Sequence, residues 1–263
     1  MSEVIVNHVT MVYPGRKGGV TALEDVSIEV QDGQFVSIVG ASGCGKSTLL
    51  NIVGGLIAPT RGEVLLDGEP IAGPGADRGM VFQSYTLYQW LTVRQNIEFG
   101  LALRRVPRAE RHRISDDLIA QMGLGGFEDA YPKALSGGMK QRVAIARALA
   151  NEPRVLLMDE PFGALDAQTR TVMQELLTEI CERLRTTVLF VTHDIDEAIF
   201  LSDVVYVLSS RPGKLQLRLE IDLPRPRTLE TMAEPRFGAF KRDILRIIHG
   251  ESLREAGLAG RIS

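Results

Sequence analysis

The chain has 263 residues, room for one large domain or for a domain with a subdomain. Its 44% hydrophobic and 24% charged content is that of a soluble globular protein, and a net charge of -3 gives no global drive toward nucleic acid or an anionic membrane. The start, Met1-Ser2-Glu3-Val4, has neither the basic nor the apolar stretch of a signal peptide, and no apolar run approaches the ~18 residues of a spanning helix. The two cysteines, Cys44 and Cys181, lie too far apart in sequence to suggest a framework, which fits a reducing cytoplasm.

Residues 4–13 and 26–30 alternate apolar and polar side chains, the pattern of half-buried antiparallel strands, with a turn-rich loop from Tyr13 to Gly19 between them. Tyr13 has two readings: a ring stacked on a flat base, or a core aromatic at a strand end. Phe35 to Val39 is a β-branched run that ends in glycine, a buried strand. Gly40-Ala41-Ser42-Gly43-Cys44-Gly45-Lys46-Ser47-Thr48 follows, then the helical Leu49 to Val53. The pattern G-x-x-x-x-G-K-[ST] between strand and helix is the context of a phosphate-binding loop. Gly40, Gly43 and Gly45 let the backbone bend with positive φ and approach a ligand. The amides then form an anion nest at a helix N-terminus. Lys46 reaches the β- and γ-phosphates, and the Ser47 hydroxyl can hold Mg2+. Cys44 reads as packing, because the position asks only for a small side chain.

Glu63 to Gly68 reads as a strand ending in an Asp-Gly turn, and Met80 to Gln83 as a strand with a polar end. Gln83, at the carboxyl end of a strand, faces the ligand crevice of an α/β sheet and offers an amide oxygen to Mg2+. From Ser84 to about Ala150 helical periodicity takes over. Val93, Ile97 and Leu101 form one apolar row; Ile114, Leu118, Ile119 and Met122 form another. Arg104, Arg105, Arg108, Arg111 and Arg113 read as a solvated helix face, since no aromatic interleaving accompanies them. Tyr85, Tyr88 and Trp90 suit either a partner surface or core packing. Ser136 caps a helix that opens with Gly137 and Gly138, either a second anion site or a plain capped helix.

Arg154 to Glu160 is a buried strand that delivers two carboxylates to the ligand edge. Asp159 suits Mg2+ through water, and Glu160 suits the proton of an attacking water. A helix from about Ala167 is expected to bury Val172, Leu176, Ile180 and Leu184. Thr187 to Thr192 is a further strand. It leads to His193, which is either structural or a phosphate sensor at the same sheet edge. A short helix covers 194–201, strands cover 203–209 and 214–219, the proline-rich Leu223 to Arg227 marks a boundary, and the tail holds one helix over 240–248.

Taken together these stretches resemble the ATP-binding subunit of an ABC transporter, over about residues 4–220. The resemblance rests on the Walker A loop Gly40–Thr48, the Q-loop residue Gln83 and the signature Leu135–Gln141. It extends to the Walker B strand with Asp159 and Glu160, the D-loop Ala164-Leu165-Asp166 and the switch residue His193, in the family's order and spacing. Tyr13 falls where that family has its adenine-stacking aromatic. The implied fold is an α/β P-loop NTPase, a RecA-like mixed sheet core with an antiparallel β subdomain. A helical subdomain (about 84–150) is inserted in a 1–223 ATP-binding domain, and a tail covers 224–263. The implied cofactors are ATP and Mg2+. The implied partners are a second copy joined through an ATP sandwich, transmembrane permease subunits and, indirectly, a solute-binding protein. The implied place is the cytoplasmic face of the membrane, as a peripheral subunit.

The stretches Gly73–Gln83, Trp90–Val93, Asp159–Arg170 and Ser209–Lys214 look further like importers of nitrate, sulfonates including taurine, and related small anions. Two positions depart from the family's pattern: Met139 stands where glutamine is usual, and Tyr88-Gln89-Trp90 lacks the common proline. Other readings fit less well. DNA-repair members of the family carry long coiled coils, and this chain has no sustained heptads. A P-loop kinase has no need of Leu135–Gln141.

Overall fold

The structure, a computed structural model, describes residues 2–15, 18–163 and 165–255. Arg16 and Lys17 of the expected first loop, and Ala164 of the D-loop, lie outside the described residues. The chain folds into two compact units, one formed by residues up to 75 together with those from 187 on, the other by residues 76–186.

The first unit begins with β1 (Val4–Tyr13) and β2 (Val20–Val30), an antiparallel pair in the register Val4↔Val30. The strand expected over 26–30 thus starts at Val20. Residues 61–66 and 69–70 extend this antiparallel sheet on the β1 side. The alternation in β1 changes parity at a bulge. Val4 and Val6 are buried, Asn7 and His8 are both exposed, and burial resumes at Val9 and Met11. His8 adopts φ 49 there, the extra residue that lets both halves of the strand bury the same face. Gly62 lies against the bulge, where a Cβ would come within 2.3 Å of His8 O.

β3 (Phe35–Val39) is buried throughout and leads through the 40–45 loop into α1 (Lys46–Val53). β4 (Arg61–Leu66) ends in the expected Asp-Gly turn, Asp67 and Gly68 at φ 51 and 80, and pairs across it with a short β5 (Glu69–Pro70) not expected from the sequence.

In the second unit β6 (Arg78–Val81) pairs in parallel with β7 (Val155–Asp159). Between them run α2 (Val93–Leu103), α3 (Arg108–Gln121), a 3-10 turn at Pro132–Ala134 and α4 (Gly137–Leu149), with no strand among the described residues, as the periodicity predicts. Val93, Ile97 and Leu101 of α2 and Leu118 and Ile119 of α3 are buried. Arg113 pairs with Glu110 and Asp117 on an exposed face, the bland outcome expected of the arginine cluster.

α5 (Ala167–Leu184) corrects one expectation. Val172 and Leu184 are 46% and 51% exposed; the buried row is Met173, Leu177, Ile180 and Cys181. Apolar residues fill two adjacent rows of this helix, and the packing selects the row one residue further on.

The first unit resumes with β8 (Thr187–Val191), α6 (Ile195–Leu201), β9 (Val204–Leu208) and β10 (Leu215–Glu220). β3 lies between β8 and β9, parallel to both, and β10 is antiparallel to β9, a mixed sheet with β3 at its centre. A short α7 (Leu229–Met232) and α8 (Pro235–Glu255) close the chain. α8 is longer than the helix expected over 240–248. It opens on Pro235, a residue suited to a first helical turn, and buries Phe237 and Ile244.

Candidate functional site

In the first unit the phosphate-loop residues and His193 leave neighbouring parallel strands at the same edge. Ile38 pairs with Val191, so Gly40 and His193 each follow two residues beyond a matched pair. Loop geometry comes from two of the three glycines: Gly43 has φ 77 and Gly45 φ 98, a left-handed conformation that costs other residues strain. Gly40 does not take the expected positive φ and is glycine for space, since a Cβ there would come within 2.8 Å of Cys44 Sγ and Leu208 O. α1 starts on Gly45 with no side-chain cap and no acidic residue in its first turn. By contrast α4, α5 and α6 are capped by Ser136, Asp166 and Asp194. With a glycine cap and no acid of its own in the first turn, the start of α1 fits a phosphate chain.

Lys46 is 5% exposed, and its Nζ donates to Gly40 O (2.8 Å) and Ala41 O (3.2 Å), which holds the ammonium over the first half of the loop. Cys44 is buried beneath it, and that burial pushes the thiol up from its ordinary value despite the nearby ammonium. Ser42, Gly43 and Ser47 are exposed, and Ala41 and Thr48 half-buried. Tyr13 ends β1 beside the loop, its ring 38% exposed and its hydroxyl 3.3 Å from Thr48 Oγ1.

The remaining candidates lie in the second unit. Val81 pairs with Met158, and two residues beyond that pair Gln83 Nε2 donates to Glu160 Oε2 at 3.3 Å. Glu160 holds φ 43, a strained backbone for a non-glycine residue, at the turn where β7 ends. Asp159 is the last residue of β7, half-buried. Elsewhere in this unit, Ser136 Oγ accepts from Met139 N at 3.3 Å, and exposed Gly137 and half-buried Gly138 open α4. Each has one close neighbour where a side chain would begin: a Cβ on Gly137 would meet Tyr85 Oη at 3.1 Å, and one on Gly138 would meet Thr169 Cγ2 at 2.7 Å.

The aromatic segment divides. Trp90 is 72% exposed and rests on Tyr88, which in turn packs on Phe99. Two residues that shape this segment carry no sequence signal. Asn96, fully buried in α2, accepts from Tyr88 N and donates to Tyr88 O, Leu91 O and Thr92 O. Arg147, near the end of α4, donates to Thr86 O at 2.7 Å.

A parallel sheet with a glycine loop and an uncapped helix at its edge, and a glutamine–glutamate pair closing a second strand end, defines a P-loop ATPase. The ABC transporter family matches residues 23–163, and the chain belongs to that family as an ATP-hydrolysing, ATP-binding subunit of an ABC transporter. It is 50% identical over 250 residues to a nitrate import ATP-binding protein of Synechocystis sp., spanning 93% of this chain and 94% of that protein. A bicarbonate transport ATP-binding protein of Synechococcus elongatus is 49% identical over 232 residues, 87% of this chain and 35% of that longer protein. Among solved structures, the dimeric post-hydrolysis state of an ATP-binding cassette bound to ADP and Pi superposes with a TM-score of 0.75 at 35% identity, covering 84% of this chain and 100% of that one. No helix among the described residues is long and apolar enough to cross a membrane.

Proposed function

We propose that this subunit powers import of nitrate, a sulfonate such as taurine, or a similar small anion. Two copies close on ATP and part after hydrolysis, while docked on transmembrane permease subunits at the cytoplasmic face and served indirectly by a solute-binding protein. The nitrate and bicarbonate relatives support the small-anion class. Exposed Trp90 supplies an apolar contact for a permease.

Bound Mg2+-ATP supplies the transferable phosphoryl group and a divalent charge on its oxygens. The protein's own residues do the rest. Lys46 and the amides from Gly40 through Ala41, Ser42, Gly43, Cys44, Gly45 and Thr48 neutralise the phosphate chain. Ser47, the Gln83 amide oxygen and, through water, Asp159 are the residues that would hold Mg2+, an ion that takes oxygen donors and usually keeps several waters. Tyr13 stacks on the base. Glu160 takes the proton of the attacking water and His193 reads the γ-phosphate. Ser136, Gly137 and Gly138 serve the γ-phosphate held by the other copy, which requires two-fold pairing.

The observation that carries this reading is the end of β7. Glu160 leaves the strand in a strained conformation with its carboxylate held by Gln83, the fixed geometry a general base requires. In a phosphate-release assay, Glu160→Gln is expected to keep ATP binding, lose turnover by about 10²–10⁴-fold and elute as an ATP-dependent dimer. Turnover near that of the unsubstituted protein would remove Glu160 from the role.

A further inference from the structure

We infer that Glu197 is a positioning residue for His193: acting through the Thr192 hydroxyl, it holds the turn from which the histidine meets the γ-phosphate. The inference rests on the reading of His193 as the residue that senses that phosphate, and concerns what keeps the histidine in place.

His193 is exposed just beyond the end of β8, while the residues on either side of it are tied down. Before it, Thr192 is 2% exposed, and its N–H donates at 3.2 Å to Ile38 O of β3, the strand that leads into the phosphate loop. After it, Asp194 caps α6, its Oδ1 accepting from Glu197 N at 3.2 Å. The Thr192 hydroxyl joins the two sides. It accepts from Asp194 N at 3.0 Å and donates to Glu197 Oε2 at 2.5 Å, the length of a charge-assisted bond to a carboxylate. Residues 192, 194 and 197 thus close a ring of hydrogen bonds, with His193 in the span between the first two.

A plain helix start would ask for less. In a capping box the third helical residue reaches back to the N–H of the cap residue. Glu197 is that third residue, yet the Asp194 N–H meets the Thr192 hydroxyl, and it is this hydroxyl that the glutamate accepts from. The Asp194 side chain already caps the helix. Glu197 is 5% exposed, and a buried carboxylate is unfavourable unless it is bonded. Its bond here fixes the direction of the Thr192 O–H, turns a lone pair to Asp194 N, and so sets the backbone on both sides of the histidine. A reacting group misplaced by about 1 Å loses up to about a hundredfold in rate, so a brace at this point has a kinetic consequence.

The test measures phosphate release by the full chain, together with the order of the His193 ring from 13C relaxation of its Cε1–H group, assigned by its absence in His193→Ala. Thr192→Val, which removes the hydroxyl and keeps the shape, is expected to lower kcat about tenfold with KM for ATP within about twofold, and to make the ring more mobile. Glu197→Ala is expected to do the same. Thr192→Ser, which keeps the hydroxyl, is expected to stay within about twofold of the unsubstituted protein and to keep the ring ordered. If a single substitution leaves a buried group unpaired and the chain does not fold, Thr192→Val combined with Glu197→Met removes both partners together and carries the same expectation. Unchanged turnover in the variants without the hydroxyl, while His193→Ala loses turnover, overturns the proposal. So does a ring no more mobile than in the unsubstituted protein, a KM that rises as kcat falls, or Thr192→Ser as slow as Thr192→Val. Full turnover in His193→Ala would instead overturn the reading of His193 itself.

Discussion

At Cys44 the sequence and the structure agree on a residue whose chemistry is suppressed. It sits inside the phosphate loop, buried, and burial raises its thiol's pKa. A raised pKa means less thiolate at any given pH, and the thiolate is the reactive form. The native chain is therefore expected to resist maleimide at pH 8, and to react at both Cys44 and Cys181, which is also buried, once unfolded in urea. Mass spectrometry of labelled peptides reads this; labelling of native Cys44 at the rate of a free thiol would contradict it. The loop residues were legible because their chemistry is written in nine consecutive letters between a strand and a helix. Gln83 and Glu160 were legible one by one, but their hydrogen bond depends on the Val81↔Met158 register, which no local pattern encodes.

Among the elements, strands and caps were legible where composition is one-sided, as in β3, β7 and the Ser136 cap of α4. The buried face of α5 was not, because two adjacent rows are equally apolar and only tertiary packing chooses between them. The bulge in β1 was hidden for a related reason: a parity change at His8 leaves both halves of the strand amphipathic. α2 shows how an element positions a surface. Its Asn96 side chain uses donor and acceptor together to hold the Tyr88–Thr92 turn, so that Trp90 stays outward on Tyr88. Asn96→Ala leaves a part-buried donor, Tyr88 N, and three carbonyls without that partner, at a cost of about 1–2 kcal/mol in stability. Trp90 is the sole tryptophan. Its fluorescence anisotropy in Asn96→Ala is expected to fall below that of the unsubstituted protein, because the turn is released. Unchanged anisotropy and melting would show that the turn holds without Asn96.

At the scale of the whole chain, the first unit is made from both ends of the sequence. The proline-rich stretch near residue 224 reads as a boundary, yet it contains the residues that fasten the tail. Arg225 bonds Asp203 and Leu201 O, while Asp203 accepts from Phe35 N of the central strand. Arg227 is buried and donates to Ile199 O, Phe200 O and Ser202 O at the end of α6, and to Ile221 O and Leu223 O. Those carbonyls include orphans of a helix C-terminus, which a single planar guanidinium satisfies with its fixed fork of donors. No local signal marks Arg227 for this task, because its partners lie up to 28 residues earlier. Arg227→Ala removes every one of these donors while the acceptors stay buried, and the expected cost is about 2–4 kcal/mol. For a chain of this length that corresponds to a fall of about 5–10 °C in melting temperature. Truncation after Leu223 strips the same donors and also uncovers the surfaces that Phe237 and Ile244 bury, so it should cost more than the point substitution. Calorimetry of the two variants ranks them directly. A truncated chain that melts like the full-length protein would show that the tail covers the first unit without stabilising it.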